Sequence, residues 1–195
     1  AAERTAGTVT LTLTSAGNGN CNAVASNVTY TITPAPTANA GADQSLCTNN
    51  PVASLGGSVT IATGGIWSGG AGTFAPSTTN LNATYTPTAA EIASGLVTLT
   101  LTTTGNGTCI AVIDQVQLNF TPSPAADAGA DLSLCRNNAS VALGGSVTVA
   151  TGGIWSGGAG SYTPNNTTLN ATYTPTPGEL AAGTLTLTLT TTGTG

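Results

Sequence analysis

The chain has 195 residues, of which only 5% are charged against 39% hydrophobic, and a formal net charge of −5. Its only cations are Arg4 and Arg136, which excludes the clustered phosphate contacts of a nucleic-acid binder and attraction to anionic lipid. A chain so poor in charge and so rich in apolar residues is not a disordered one; it must bury its hydrophobic side chains and leave Thr, Ser and Asn to meet water.

The opening residues, Ala1 to Gly7, lack the basic and apolar regions of a signal peptide, so any export signal is expected outside this stretch. No apolar run approaches the roughly 18 residues of a membrane-spanning helix, and no membrane insertion is expected. Val9, Leu11 and Leu13 then alternate with threonines, the period-two pattern of a strand with one apolar face. Thr33-Pro34-Ala35-Pro36 follows, where alternate prolines favour an extended, semi-rigid connection. Ala42 to Leu46, Val52 to Leu55, Val59 to Ala62, Ile66 to Ser68 and Ala83 to Thr86 are expected as short strands separated by Gly and Pro clusters. Tyr85, and Tyr173 later, fall in strand contexts and are expected half-buried with the hydroxyl at a rim. Ala89 to Ser94 is the helical candidate, a single turn.

Val97, Leu99 and Leu101 then repeat the alternation and lead into the hairpin tip Gly105-Asn106-Gly107. The next strand offers Ile110, Val112, Val116, Leu118 and Phe120 as its inward positions, with Asp114 in the same phase; a bulge near Asp114-Gln115 is the expected remedy. Thr121-Pro122-Ser123-Pro124 closes the segment.

From here the chain repeats itself. Cys21 and Cys109, Cys47 and Cys135, Trp67 and Trp155, and Glu91 and Glu179 are each 88 residues apart, and residues 37–107 match 125–195 without a gap at 49 of 71 positions. Leu185, Leu187 and Leu189 renew the alternation of Leu99 and its neighbours. A period near 88 is too long for a solenoid coil and suits one β-sandwich per repeat. The expected architecture is therefore all-β, tandem immunoglobulin-like β-sandwich domains joined end to end. Residues 1–34 make the C-terminal part of a first repeat, 35–122 a complete one, and 123–195 most of a third.

Trp67 and Trp155 have two readings: a core tryptophan of the sandwich, or a ring between glycines that stacks on sugar. The four cysteines, Cys21, Cys47, Cys109 and Cys135, are disulfide candidates, because no CxxC or Cys/His spacing suits a metal. Pairing Cys47 with Cys109 within one repeat is the simplest choice and would stabilise by about 4 kcal/mol. Greek-key topology opposes it: the first strand ends at the bottom of the sandwich and the last hairpin lies at the top, roughly 35 Å away. The alternative joins each first-strand cysteine to the hairpin cysteine of the following repeat, giving Cys47 a partner two residues beyond Gly195.

No catalytic constellation is legible. Histidine is absent, the acids of the complete repeat (Asp43, Glu91, Asp114) are far apart in sequence, and neither a calcium loop nor a cofactor motif is present. No cofactor, metal site or enzymatic activity is expected. The Thr-x-Thr runs are read as strands rather than ice-binding ladders, and the sequons at Asn27, Asn82, Asn106 and Asn170 as chance matches in an Asn- and Thr-rich chain.

ANAGADQSLC, GGIWSGGAGTF, LNATYTPTAAEIASG, VTLTLTTTGNGTC and the closing TPSP resemble repeats of giant cell-surface proteins of Bacteroidota, the gliding-motility adhesin type exported by type IX secretion. That resemblance implies an extracellular, cell-surface location and immunoglobulin- or PKD-like repeats in an adhesin or filament. The implied partners are adjoining repeats of the same chain and other copies in a filament. A multivalent carbohydrate-binding array gripping surface polysaccharide is the alternative.

Overall fold

The computed structural model of the chain describes residues 7–193. Two compact units form: Ala1–Leu46 with Asn50–Thr121, and Cys47–Asn49 with Pro122–Gly195.

In the first unit, β1 (Thr8–Thr14) and β2 (Ala25–Thr31) make an antiparallel hairpin. The complete repeat follows as β3 (Thr37–Asn39), β4 (Gln44–Cys47), β5 (Ala53–Ser54), β6 (Ser58–Thr60), β7 (Gly64–Ser68), β8 (Thr73–Ala75), β9 (Thr84–Thr86), α1 (Ala89–Ser94), β10 (Leu96–Thr104) and β11 (Ile113–Thr121). One sheet has the order β4-β11-β10-β7; β5-β9-β8 and β3-β6 form the others. The second unit repeats the plan with β12 (Ala125–Asp127), β13 (Val141–Ala142), β14 (Ser146–Thr148), β15 (Gly152–Ser156), β16 (Ser161–Thr163), β17 (Thr172–Thr174), α2 (Pro177–Ala182) and β18 (Thr188–Thr192). These are tandem immunoglobulin-like β-sandwich repeats.

The core follows from the alternation. Val97, Leu99, Leu101 and Thr103 face inward from β10, and Val116, Leu118 and Phe120 from β11; all are buried. They enclose Trp67, Tyr85 and Leu55 in one cluster. Leu11 and Leu13, which match Leu99 and Leu101 in the period, are exposed, because among the described residues only a hairpin of their repeat is present.

Three expectations need correction. β11 pairs with β10 in unbroken register from Thr102↔Ile113 to Leu96↔Asn119, with no bulge at Asp114-Gln115. Asp114 keeps its inward phase because its carboxylate accepts the Ala40 amide at 2.7 Å, a charge-assisted bond that offsets its desolvation. Ile110 is not an inward strand residue: residues 105–112 form the loop between β10 and β11, and Ile110 is 88% exposed. In the second unit, Leu185 and Leu187 fall outside β18, since nothing among the described residues plays the part of β11, which alone pairs that half of β10. Two strands of the complete repeat, β3 and β8, were not expected, because at three residues each they are too short to show an alternation.

β4 runs parallel to β11. The sequence of contacts shows it: Ala40 N to Asp114, Gln117 N to Asp43 Oδ1 at 2.8 Å, and Thr121 Oγ1 to Leu46 O at 3.2 Å. Both strands therefore end together.

Candidate functional site

The densest polar cluster lies where the loop after β7, the end of β9 and the start of α1 meet. Thr88 is the N-cap of α1, its hydroxyl accepting from the Glu91 amide at 3.3 Å. The Glu91 carboxylate folds back to complete a capping box. Oε2 accepts from Thr88 N at 2.7 Å and Thr88 Oγ1 at 2.9 Å, while Oε1 accepts from Tyr85 Oη at 2.6 Å and Ala71 N at 2.7 Å. Tyr85 Oη in turn accepts from Gly72 N at 2.9 Å. One carboxylate thus ties a helix start, a core strand and a glycine loop together.

The second unit repeats the cluster: Glu179 accepts from Thr176 N (2.7 Å), Ala159 N (2.6 Å) and Tyr173 Oη (2.8 Å). Burial is the largest single influence on Glu91 and raises its pKa, but the bonds from Tyr85, Thr88 and Ala71 together outweigh it and hold the carboxyl at about 2. Burial, and then the bond to Glu91, pushes Tyr85 up to about 12. Glu179 also lies at about 2, chiefly through the Thr176 amide, and burial raises Tyr173.

Gly70 makes this possible. Its φ is +70°, and a β-carbon there would overlap the Tyr85 hydroxyl; Gly158 stands in the same relation to Tyr173. Tyr85 and Tyr173 are not half-buried but enclosed, at 0% and 1% exposure, because the hydroxyl's partners are themselves supplied inside the fold. Sequence reasoning missed this cluster, although Thr88-x-x-Glu91, three residues after Tyr85, is a capping-box signature.

Trp67 and Trp155 are 1% and 2% exposed, with the indole Nε1 donating to Leu81 O at 3.2 Å and Leu169 O at 3.0 Å. The core reading describes them; the stacking reading does not, since neither ring offers a face to a sugar. Asp43 and Asp114 are committed to the Gln117 and Ala40 amides. Among the described residues no group of three or more His, Cys, Asp or Glu is placed to hold a metal ion. No helix of the described residues is long and apolar enough to cross a membrane.

The cysteines fall at two kinds of place. Cys47 ends β4, level with the end of β11, while Cys109 sits in the loop that precedes β11, about 30 Å away along that strand. Cys21 and Cys135 are exposed, each in a turn: Cys21 N donates to Asn18 O, and Asn138 N to Cys135 O, both at 3.0 Å. A groove of about 930 Å³ in the second unit is lined by Leu132, Leu134, Trp155 and Leu187. It corresponds to the space that β11 fills between β4 and β10 in the complete repeat.

No family model and no curated protein matches the chain. Among solved structures it is similar to the extracellular cadherin domains 3–6 of protocadherin gamma B2, at 12% identity and a TM-score of 0.35, over 72% of this chain and 39% of that one. It is also similar to the EC3–6 cis-dimer structure of protocadherin gammaB7, at 13% identity and a TM-score of 0.38, over 86% of this chain and 51% of that one. The chain thus spans about half or less of these two structures.

Proposed function

We propose that the chain is a structural repeat region of a long extracellular surface adhesin or filament, extending or assembling a fibre outside the cell. One observation carries the reading: the groups from which a site would be made are committed to bracing the sandwich. In the complete repeat all three carboxylates accept backbone amides and the indole is enclosed, and Glu179 and Trp155 repeat this 88 residues later. A module whose polar anchors serve its own loops gains by being used in series. Its outer surface of threonine hydroxyls carries almost no charge to be desolvated when copies pack side by side. The resemblance of its wording to gliding-motility adhesins exported by type IX secretion supports a place on the bacterial surface. No observation favours the carbohydrate-binding alternative.

An antibody raised against this chain tests the proposal on intact cells of the source organism. Immunogold label should stand outside the outer membrane, and deleting a run of 88-residue periods from the parent protein should bring a distal epitope closer to the cell. Label only in permeabilised cells, or unchanged reach after deletion, would overturn it.

A further inference from the structure

The two cysteines of the complete repeat are placed at opposite ends of their own sandwich, Cys109 at the linker that precedes the repeat and Cys47 beside the one that follows it. Cys109 Sγ lies 3.3 Å from Thr33 Oγ1 and donates to Pro34 O at 3.6 Å, so the hairpin cysteine of the complete repeat rests on the Thr-Pro segment that precedes that repeat. One period later the same segment is Thr121-Pro122-Ser123-Pro124. Here the neighbours of Cys47 meet it: Thr121 Oγ1 donates to Leu46 O at 3.2 Å and Ser123 N to Thr48 Oγ1 at 2.9 Å. Cys47–Asn49 group with the unit that begins at Pro122 rather than with the strands of their own repeat. Every linker is therefore flanked by the first-strand cysteine of the repeat it leaves and, by the period, the hairpin cysteine of the repeat it enters.

We infer that a disulfide joins the first-strand cysteine of each repeat to the hairpin cysteine of the next, clamping the Thr-Pro linker between them. For Cys109 the partner is the Cys47 equivalent of the preceding repeat. A bond between Cys47 and Cys109 themselves is ruled out by the length of β11, since bridged Cα atoms lie within about 7 Å. Both kinds of cysteine meet the linker at the same step of the period: Cys109 contacts Thr33 and Pro34, and the residues on either side of Cys47 contact Thr121 and Ser123. The two thiols each give up a proton and an electron, the S–S bond forms, and the two electrons and two protons pass to a small-molecule or protein disulfide, which leaves as two thiols. The inference rests on the extracellular reading only for its oxidising surroundings; the geometry is testable in a tube.

Placing a second copy of residues 35–88 before Ala1 completes the first repeat and supplies a first-strand cysteine ahead of Cys109. After refolding in a glutathione redox buffer, peptic mapping without reductant should find the added cysteine linked to Cys109. The linked peptide should vanish on reduction and in the Cys109→Ser variant. A link from the added cysteine to Cys21, a link from Cys47 to Cys109, or thiols that all remain reactive would overturn the inference. The unextended chain gives a second measurement that does not depend on the added segment folding. Thr33→Cys places a thiol at the atom now 3.3 Å from Cys109 Sγ and should crosslink to it quantitatively. Failure of that crosslink overturns the placement of the hairpin cysteine on the linker. Because both tests are made on purified protein, their failure leaves the location of the protein untouched, and a failed surface label leaves the disulfide untouched.

Discussion

Glu91→Gln is the sharpest perturbation of the repeat, because one carboxylate accepts four bonds from three residues. The amide that replaces it has one accepting oxygen and one donating nitrogen, so whichever way it turns, a backbone N–H of Ala71 or Thr88 is left facing a donor. An unsatisfied enclosed donor and the loss of a charge-assisted bond together cost about 2–3 kcal/mol. The acid dependence follows from the same geometry. The folded pKa is depressed from 4.5 to about 2, so the stabilisation is present above pH 4.5 and is lost as the pH falls toward 2.

Fully enclosed, that shift would amount to ~3 kcal/mol; screening of this partly exposed carboxylate reduces it to about 1–2 kcal/mol. Urea denaturation in a Trp155→Phe background, where Trp67 fluorescence reports the complete repeat alone, measures both quantities. The wild type should exceed Glu91→Gln by about 2–3 kcal/mol at pH 7, and the gap should narrow by about 1–2 kcal/mol between pH 5 and pH 2.5. A gap below about 0.5 kcal/mol at pH 7, or one that stays constant in acid, would refute the reasoning.

Gly70→Ala should destabilise the same repeat by about 3 kcal/mol, from left-handed backbone strain and a methyl driven against the Tyr85 hydroxyl; a loss under about 1 kcal/mol on the same urea assay would contradict the geometry. Ile61 sits at φ +65° in a tight turn closed by Ala62 N to Thr60 O at 2.7 Å, an unfavourable place for a β-branched residue. Ile61→Asn should therefore raise stability by about 1 kcal/mol, and a lowered urea midpoint would refute this. At high pH the sign reverses from that of Glu91. Tyr85 stays protonated in the fold to about 12, so stability should be full below pH 10 and fall between pH 10 and 12 as the unfolded chain's tyrosine ionises. Tyr85→Phe should weaken that alkaline loss, and an unchanged profile would assign it elsewhere.

Much of the fold is legible in local pattern. The alternation of Val97, Leu99 and Leu101 with threonine specifies a strand and its buried face without any tertiary input, because a pleated strand turns successive side chains to opposite sides. The helix Ala89–Ser94 lies where the sequence places it, between a threonine that caps its start and a glycine in left-handed conformation that ends it. Asp114 shows where such reasoning stops. Its inward phase is correct, but its partner, the Ala40 amide, lies 74 residues away, so a local bulge was expected where a long-range hydrogen bond exists. The Tyr85–Glu91 anchor was missed for the same reason: its third participant is the Gly70–Gly72 loop, and no spacing rule connects a loop after β7 to a helix cap.

Sequence alone determined the all-β class, the 88-residue period and the strand faces, because each is set by neighbours along the chain or by the identity of one period with another. Only the tertiary structure decided what those strands enclose. It turned both tryptophans inward, committed the carboxylates to distant amides, and laid β4 parallel to β11 so that the two cysteines of a repeat stand apart. Those outcomes depend on contacts between residues far apart in sequence, and burial of apolar surface in the finished sandwich selects them.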